Sequence, residues 1–276
     1  MLEKVYKKKK EIFNIIKKAG NEILKVYSGN DFQVEMKSDE TPLTLADKKS
    51  NDIIVKSLIE LFPEIPILSE ESKKTPYHER KEWEYLWLVD PLDGTKEFIK
   101  KNGEFSINLA LIKGGKPIFG MLYLPVLGLF YYAGKGYGAY KIEKNGKTIS
   151  LKPAEYNKND VDRMIKVIFS KSHYNQETRE YVGRIKKQYC HTEMISVGSA
   201  MKLAYLAEGK ADIYPRLAPT MEWDIAAGQI IVEETGGKVI DFLGKKPLIY
   251  NKENLRNPWF VALRNRSLFS FSKKLN

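Results

Sequence analysis

Two aspartates, Asp90 and Asp93, stand close together after the apolar run 85–89, which is typical of a buried strand. A proline and a glycine around them indicate a tight turn. Such a turn aims both carboxylates and the Leu92 carbonyl at one point, and oxygen ligands of this kind suit Mg²⁺ or Mn²⁺. Without a cation, two close carboxylates repel until one of them binds a proton. An ordinary Asp-Gly turn without a metal is the alternative.

Three further carboxylates stand where an element begins or ends. Glu70 follows the apolar run 65–68, Asp47 lies in the first turn of a helix, and Asp224 begins another apolar helix. Each acid has a simpler interpretation as a helix cap or a solvated charge, since Asp is common at caps. Sites also collect at the ends of elements in α/β proteins. The pattern therefore favours an acidic site assembled from several segments.

Hydrophobic periodicity and turn residues predict the elements that position these side chains. In the first half, helices are predicted over 2–27 and from residue 46, with strands over 65–68, 85–89, 106–112, 118–124 and 129–133. In the second half, strands over 167–169, 211–214 and 238–240 alternate with helices over 176–188, 199–208 and 224–234. This order is typical of an α+β half followed by an α/β half. We expect two lobes meeting in a cleft, with residues 1–155 carrying most of the acids and residues 156–276 carrying Asp224.

The chain has 276 residues and a formal net charge of +11, which could indicate a nucleic-acid partner. Residues 1–30 and 252–276 each carry +5, so the excess lies at the two ends. The lysines Lys7–Lys10 are typical of a solvated helix face, and no stable nucleic-acid complex is expected. They permit peripheral contact with a membrane. A non-catalytic binder of anionic surfaces is the remote alternative.

Cysteine use and hydropathy predict the compartment. Cys190 is the one cysteine, so no internal disulfide forms, which fits a reducing environment. The N-terminus has no apolar signal segment. Residues 117–134 lack charge, but prolines and glycines interrupt them, so two strands explain them better than a membrane span. A cytoplasmic protein is predicted.

Three ordered motifs resemble the signatures of the Mg²⁺-dependent, lithium-sensitive inositol monophosphatase superfamily: Glu70-Glu71, Asp90-Pro91-Leu92-Asp93-Gly94-Thr95 and Trp223-Asp224-Ile225-Ala226-Ala227-Gly228. The resemblance extends over nearly the whole chain. Within the superfamily, five segments are similar to the CysQ-type 3'(2'),5'-bisphosphate nucleotidases: 93–100, 102–105, 170–173, 198–202 and 214–216. The fold that the resemblance implies is a two-lobed, layered αβαβα sandwich.

The resemblance also implies a catalytic centre with two or three Mg²⁺ ions, for which Mn²⁺ could substitute. Its metal ligands would be Glu70, Asp90, Asp93, Asp224 and the Leu92 carbonyl. Asp47, hydrogen-bonded to Thr95, would orient and activate a water for in-line attack on phosphorus. Asp47, Thr95 and Glu70 would thus form the catalytic group, and the amides of Gly94, Thr95 and Lys96 would hold the scissile phosphate.

A second, non-scissile 5'-phosphate would be bound by Ser199, Lys202 and Arg216, again by resemblance. Ser172 and His173 would be further substrate contacts, with His173 near the adenine. Simpler interpretations exist for each: Ser199 as a helix cap, Lys202 and Arg216 as solvated charges, and His173 as a surface loop residue.

The activity that the resemblance implies is removal of the 3'-phosphate from adenosine 3',5'-bisphosphate, giving AMP and phosphate. The sulfated analogue would be a further substrate, and the role would lie in sulfur assimilation and nucleotide recycling. An inositol or sugar monophosphatase with the same metal chemistry is the alternative. The partner would be a small phosphorylated nucleotide, and the protein a monomer or a homodimer.

Overall fold

The computed structural model describes residues 1–29, 32–37, 42–152, 164–170, 174–189, 191–265 and 268. Its helices are α1 (Leu2–Lys7), α2 (Lys9–Ser28), α3 (Leu45–Leu61), α4 (Tyr77–Arg80), α5 (Thr95–Ile99), α6 (Gln176–Gln188), α7 (Met201–Ala207) and α8 (Glu222–Glu234). Its strands are β1 (Glu35–Met36), β2 (Pro42–Leu43), β3 (Ile67–Ser69), β4 (Tyr85–Asp93), β5 (Ser106–Lys113), β6 (Lys116–Leu124), β7 (Leu129–Gly134), β8 (Gly138–Ile142), β9 (Thr148–Leu151), β10 (Ile165–Phe169), β11 (Thr192–Ser196), β12 (Ile213–Arg216), β13 (Lys238–Asp241) and β14 (Phe260–Leu263).

The larger sheet has the strand order β3-β4-β5-β6-β7-β8-β9. β3 is parallel to β4, and the later neighbours are antiparallel. Successive side chains of a strand point to opposite faces, so Leu86 and Leu88 belong to one core while Trp87 and Val89 belong to the other. Both faces are buried, which explains why β4, β5 and β6 are apolar runs without alternation.

Helices cover both faces of this sheet. On one face, Ile16 of α2 and Ile54 of α3 share a core with Trp87. On the other face, α7 and α8 pack close to the strands. A Cβ atom on Gly120 of β6 would lie only 2.5 Å from the Ala227 carbonyl oxygen of α8, so this approach requires a glycine.

The smaller sheet has the strand order β11-β10-β12-β14-β13. β10 is parallel to β11 and β12, whereas β14 is antiparallel to β12 and β13. α7 and α8 lie between the two sheets, because α8 contacts both β6 and β13 and α7 contacts β12. α6 covers the outer face through Tyr181 and Ile185. The layers are helix, sheet, helix, sheet, helix, which confirms the predicted αβαβα sandwich.

Some element predictions need correction. The helix predicted over 2–27 is divided at Lys8, whose ψ of 17° leaves the helical region; Lys4 and Lys8 are like charges one turn apart, which opposes a continuous helix. β11 was not predicted because its polar and apolar residues alternate weakly at the edge of the sheet. β14 was not predicted either, although its four residues are buried. The predicted domain boundary near 155 lies outside the described residues, and the division into two domains stays a prediction.

Residues 117–134 form β6 and β7, joined by a turn, as predicted. Within the described parts of the chain, no helix has the length and apolar content that crossing a bilayer requires. Cys190 lies outside the described residues.

Candidate active site

Asp90 and Asp93 lie on a distorted end of β4. The register between β4 and β5 shifts between these two residues, and the Leu92 amide donates to Asp90 Oδ1 at 3.0 Å. Gly94 follows with a φ of 94°, in the left-handed region that glycine adopts without strain. α5 begins at the next residue. The predicted turn is therefore a bulged strand end that leads into a short helix.

Three carboxylates from three elements meet at this strand end. Oxygen atoms of Glu70, Asp90 and Asp224 lie within 4.8 Å of one another. Glu70 reaches Asp90 because β3 pairs in parallel with β4, and the Glu70 amide continues the pairing by donating to the Val89 carbonyl at 3.0 Å. Asp224 arrives on the first turn of α8. Its Oδ2 accepts from the Met221 amide at 2.9 Å, so the predicted cap is present as well.

The electrostatics of this cluster call for a cation. Burial, together with the negative charges of the neighbouring carboxylates, raises the pKa values of Asp90 and Asp224 well above the ordinary range. Charged groups in such a place need either protons or a positive partner. Hard divalent cations take oxygen ligands of this kind. The residues present therefore fit a divalent metal ion.

Asp93 has a different set of contacts. Its Oδ2 accepts from the Ser199 hydroxyl at 2.6 Å and from the Ala200 amide at 2.7 Å. Ser199 has a φ of 49°, so the loop before α7 bends sharply toward Asp93. The capping interpretation of Ser199 is wrong, because its hydroxyl binds Asp93 and α7 begins only at Met201. Asp93, at the end of β4, thus connects the larger sheet to the loop before α7.

Asp47 lies beside Thr95, as predicted. Its Oδ1 accepts from the Thr95 hydroxyl at 3.2 Å, and its Oδ2 accepts from the Thr44 amide at 2.7 Å. The Thr44 contact completes a capping box at the start of α3, so Asp47 also caps this helix. Thr95 Oγ1 also lies 3.3 Å from the Leu92 carbonyl oxygen. Burial raises the pKa of Asp47, although the hydrogen bonds from Thr44 and Thr95 oppose that shift.

Two lysines place positive charge beside Glu70. Lys37 Nζ lies 2.8 Å from Glu70 Oε1 and 2.5 Å from Glu71 Oε1. Lys74 Nζ donates to the Glu70 carbonyl and lies 4.5 Å from the centre of the Trp223 ring. Burial lowers the pKa of Lys74 to about 8. The contact of Lys74 with Trp223 was not predicted, because the two residues are far apart in sequence.

Lys202 and Arg216 are both buried, so the interpretation as solvated charges is wrong. Lys202 Nζ donates to the Ser199 carbonyl at 2.5 Å and to the Val197 carbonyl at 3.3 Å. Burial lowers the pKa of Lys202 to about 8, and the nearby charge of Arg216 acts in the same direction. Arg216 Nη2 donates to the Pro219 carbonyl at 2.9 Å, while its buried Nε has no hydrogen-bond partner among the described residues.

The remaining candidates are placed as follows. Lys96 is exposed on α5. Ser172 and His173 lie outside the described residues.

Glu104 was missed as a site residue. Its Oε2 accepts from the Gly198 amide at 2.8 Å, and this contact fixes the loop that binds Asp93. Its position within the motif 102–105 was the only signal for it in the sequence.

Comparisons with known proteins show the family of the chain. The chain matches the inositol monophosphatase family over residues 3–265. It is 40% identical to the 3'(2'),5'-bisphosphate nucleotidase CysQ of Salmonella typhimurium, over 91% of this chain and 97% of that protein. The protein of the same name from Escherichia coli K12 is 40% identical over the same shares.

Solved structures of this family have the same fold as the chain. CysQ from Bacteroides thetaiotaomicron, a bacterial member of the inositol monophosphatase family, has a TM-score of 0.79 and 40% identity, covering 92% of this chain and 96% of that one. The IMPase of Thermotoga maritima has a TM-score of 0.75 and 26% identity, covering 98% and 96%. From the matched length, the identity and the shared fold, the chain belongs to the inositol monophosphatase family.

Proposed function

We propose that this protein is a Mg²⁺-dependent phosphatase that removes the 3'-phosphate from adenosine 3',5'-bisphosphate, giving AMP and phosphate. The observation that carries the proposal is the position of two buried cations, Lys202 and Arg216, next to a buried cluster of carboxylates. Lys202 donates to the Ser199 carbonyl and the Ser199 hydroxyl donates to Asp93, so Lys202 lies close to the acidic end of β4. The positive charge of Arg216 opposes the rise in the pKa of Asp224. The relatives named as bisphosphate nucleotidases support this substrate. The sulfated analogue carries the same 3'-phosphate and is included.

The metal site of this proposal is formed by Glu70, Asp90 and Asp224, with Asp93 and the Leu92 carbonyl as further ligands. Bound Mg²⁺ would lower the pKa of the attacking water and neutralise charge on the phosphate oxygens. The chain itself supplies ligands from three elements held at fixed positions: β4, α8 and the end of β3. Mn²⁺ has similar preferences and is proposed as a substitute.

Asp47 is the proposed general base, oriented by two neighbours. The Thr44 amide and the Thr95 hydroxyl hold its two oxygens, so the carboxylate is fixed toward the end of β4. A base whose pKa is raised by burial accepts a proton more readily than a solvated aspartate does. The phosphate contacts expected from Gly94, Thr95 and Lys96 stay a prediction.

The second phosphate of the substrate is proposed to lie against Arg216, Lys202 and Ser199. Arg216 has a buried Nε with no partner among the described residues, which is costly unless a ligand accepts from it. A phosphate is a suitable acceptor because the guanidinium group can grip it with two donors. A monophosphate substrate has no group for this position.

An Arg216→Ala variant tests the substrate assignment. Loss of a charge-assisted contact is expected to lower kcat/KM for adenosine 3',5'-bisphosphate roughly 10- to 100-fold. Hydrolysis of inositol 1-phosphate should change less than about threefold, because that substrate lacks the second phosphate. Steady-state kinetics on both substrates measure the difference, with Arg179→Ala, an exposed arginine on α6, as the control. Equal losses on both substrates would favour the alternative, an inositol or sugar monophosphatase.

A further inference from the structure

Glu222 is a fully buried acid next to the metal cluster. It is the first residue of α8, and its exposed fraction is 0%. Its Oε2 accepts from the Asn251 amide at 2.5 Å, and its Oε1 accepts from the Lys252 amide at 3.1 Å and from the Lys252 ammonium group. Three donors compensate the burial of this charge. Residues 249–257, which supply these donors, are called the strap below.

The strap also binds the backbone at the start of α8. The Glu222 amide donates to the Leu255 carbonyl at 3.0 Å. The Asn257 amide donates to the Thr220 carbonyl at 2.9 Å, and Asn257 Nδ2 donates to the Met221 carbonyl at 2.7 Å. The first residues of α8 are therefore fixed from one side by the strap, through both side chains and backbone.

The other side of the strap is tied to the segment between Glu70 and Asp90. Arg80 is 3% exposed and donates to Asn251 Oδ1 at 2.8 Å and to the Glu253 carbonyl at 2.9 Å. Asn251 Nδ2 donates back to the Arg80 carbonyl at 2.6 Å. The strap thus joins the start of α8, which carries Asp224, to α4, which lies in the segment between Glu70 and Asp90.

We propose that Glu222 is a positioning residue for Asp224. The two residues share the first turn of α8, so the contacts that fix Glu222 also fix where Asp224 stands relative to Asp90 and Glu70. A metal ion binds tightly only when its ligands are held at the right separation. Glu222 therefore sets the affinity for the divalent cation without touching it. This inference rests on the proposed function, in which these carboxylates hold the metal.

Glu208 provides a matched control. Its side chain is 8% exposed, and its carboxylate binds Lys141 at 2.7 Å, Lys210 and the Tyr131 hydroxyl at 2.5 Å. It follows α7 and lines a cavity together with Thr235, at the end of α8 opposite to Glu222. A Glu→Gln change disrupts a buried ion pair at either site, but only Glu222 is next to a proposed ligand.

The test measures Mn²⁺ binding to Glu222→Gln and Glu208→Gln by the electron paramagnetic resonance signal of free Mn²⁺. The glutamine amide at position 222 keeps one acceptor and turns a donor toward Asn251 or Lys252. We expect the Kd for Mn²⁺ to rise about tenfold in Glu222→Gln. In Glu208→Gln the Kd for Mn²⁺ should stay within about twofold of the parent value. This holds even if its melting temperature falls as much as that of Glu222→Gln.

If Glu222→Gln does not fold, Lys252→Met provides a second test of the same proposal. It removes the ammonium group but leaves both strap amides on Glu222, so we expect a rise in Kd of about threefold, smaller than for Glu222→Gln. Unchanged Mn²⁺ binding in a folded Glu222→Gln or Lys252→Met variant would overturn the positioning role. Absence of Mn²⁺ binding to the parent protein would overturn the proposed function itself, and this inference with it.

Discussion

An Asp90→Asn variant is expected to lose roughly 10³-fold or more of its Mg²⁺-dependent phosphatase activity, while its metal-free form becomes more stable than the parent at neutral pH. Asp90 is 1% exposed and lies beside Glu70 and Asp224. Removing it takes away a metal ligand, and with it several kcal/mol of transition-state stabilisation. It also removes a buried negative charge that the metal-free protein cannot neutralise.

The sign of the accompanying pH dependence follows from the pKa of Asp90. Burial, then the charges of Glu70, Asp93 and Asp224, raise this pKa in the folded, metal-free protein. The folded state therefore binds the proton more tightly than the unfolded state, in which an aspartate has a pKa of about 3.9. The free energy of unfolding should fall as the pH rises from about 4 towards the raised pKa. Mg²⁺ should restore that free energy at neutral pH.

Denaturant unfolding of EDTA-treated protein across this pH range measures both effects. At neutral pH, the free energy of unfolding of metal-free Asp90→Asn should exceed that of the parent by on the order of 1 kcal/mol. Asp52→Asn is the control, because Asp52 is exposed on α3. Retained activity in Asp90→Asn, or equal stabilisation of the variant and the parent by Mg²⁺, would contradict the metal-ligand role.

An Asp47→Asn variant is expected to lower kcat roughly 10²- to 10⁴-fold, as loss of a general base does, with Mn²⁺ binding unchanged. The asparagine carbonyl can still accept from the Thr44 amide, so the capping box at the start of α3 survives. The amide cannot accept a proton from the attacking water. The Asp47→Asn variant therefore loses base catalysis but keeps metal binding, whereas Asp90→Asn loses a metal ligand.

Steady-state kinetics and Mn²⁺ binding on the same preparation measure this separation. Thr44→Ala is the matched control: it weakens the same cap by about 1 kcal/mol and removes the Thr44 hydroxyl, but the Asp47 carboxylate keeps the amide of residue 44 and the Thr95 hydroxyl as donors. We expect Thr44→Ala to keep most of its kcat. Similar small losses in Asp47→Asn and Thr44→Ala would show that Asp47 only caps α3.

The acids of the cluster were predictable because each stands at the end of a strong pattern. Asp90 follows an apolar strand, Glu70 follows the strand next to it, and Asp224 opens an apolar helix. Parallel pairing of β3 with β4 then brings two of the three together. Periodicity cannot predict the distances between these carboxylates, however, because the distances depend on how α8 packs between the two sheets. The αβαβα arrangement itself was expected from the resemblance, not from the periodicity.

The hydrogen bonds made by several buried residues near the site were not predictable from local pattern. The Lys202 ammonium donates to the carbonyls of Val197 and Ser199, and the sequence predicted neither contact; its contact with the second phosphate stays a prediction. Glu222 was not predicted as a site residue, because its partners in the strap are about thirty residues away in sequence. Such long-range pairs leave no periodicity in the sequence.

The central claim is tested most directly by phosphate release from adenosine 3',5'-bisphosphate and inositol 1-phosphate, measured side by side on the parent protein with Mg²⁺ and with EDTA. The expected result is a kcat/KM for the bisphosphate at least about tenfold above that for inositol 1-phosphate, which corresponds to about 1.4 kcal/mol from the second phosphate. EDTA should abolish release, and added Mg²⁺ should restore it. Release that survives chelation would contradict the metal chemistry, and equal or reversed preference would contradict the bisphosphate assignment.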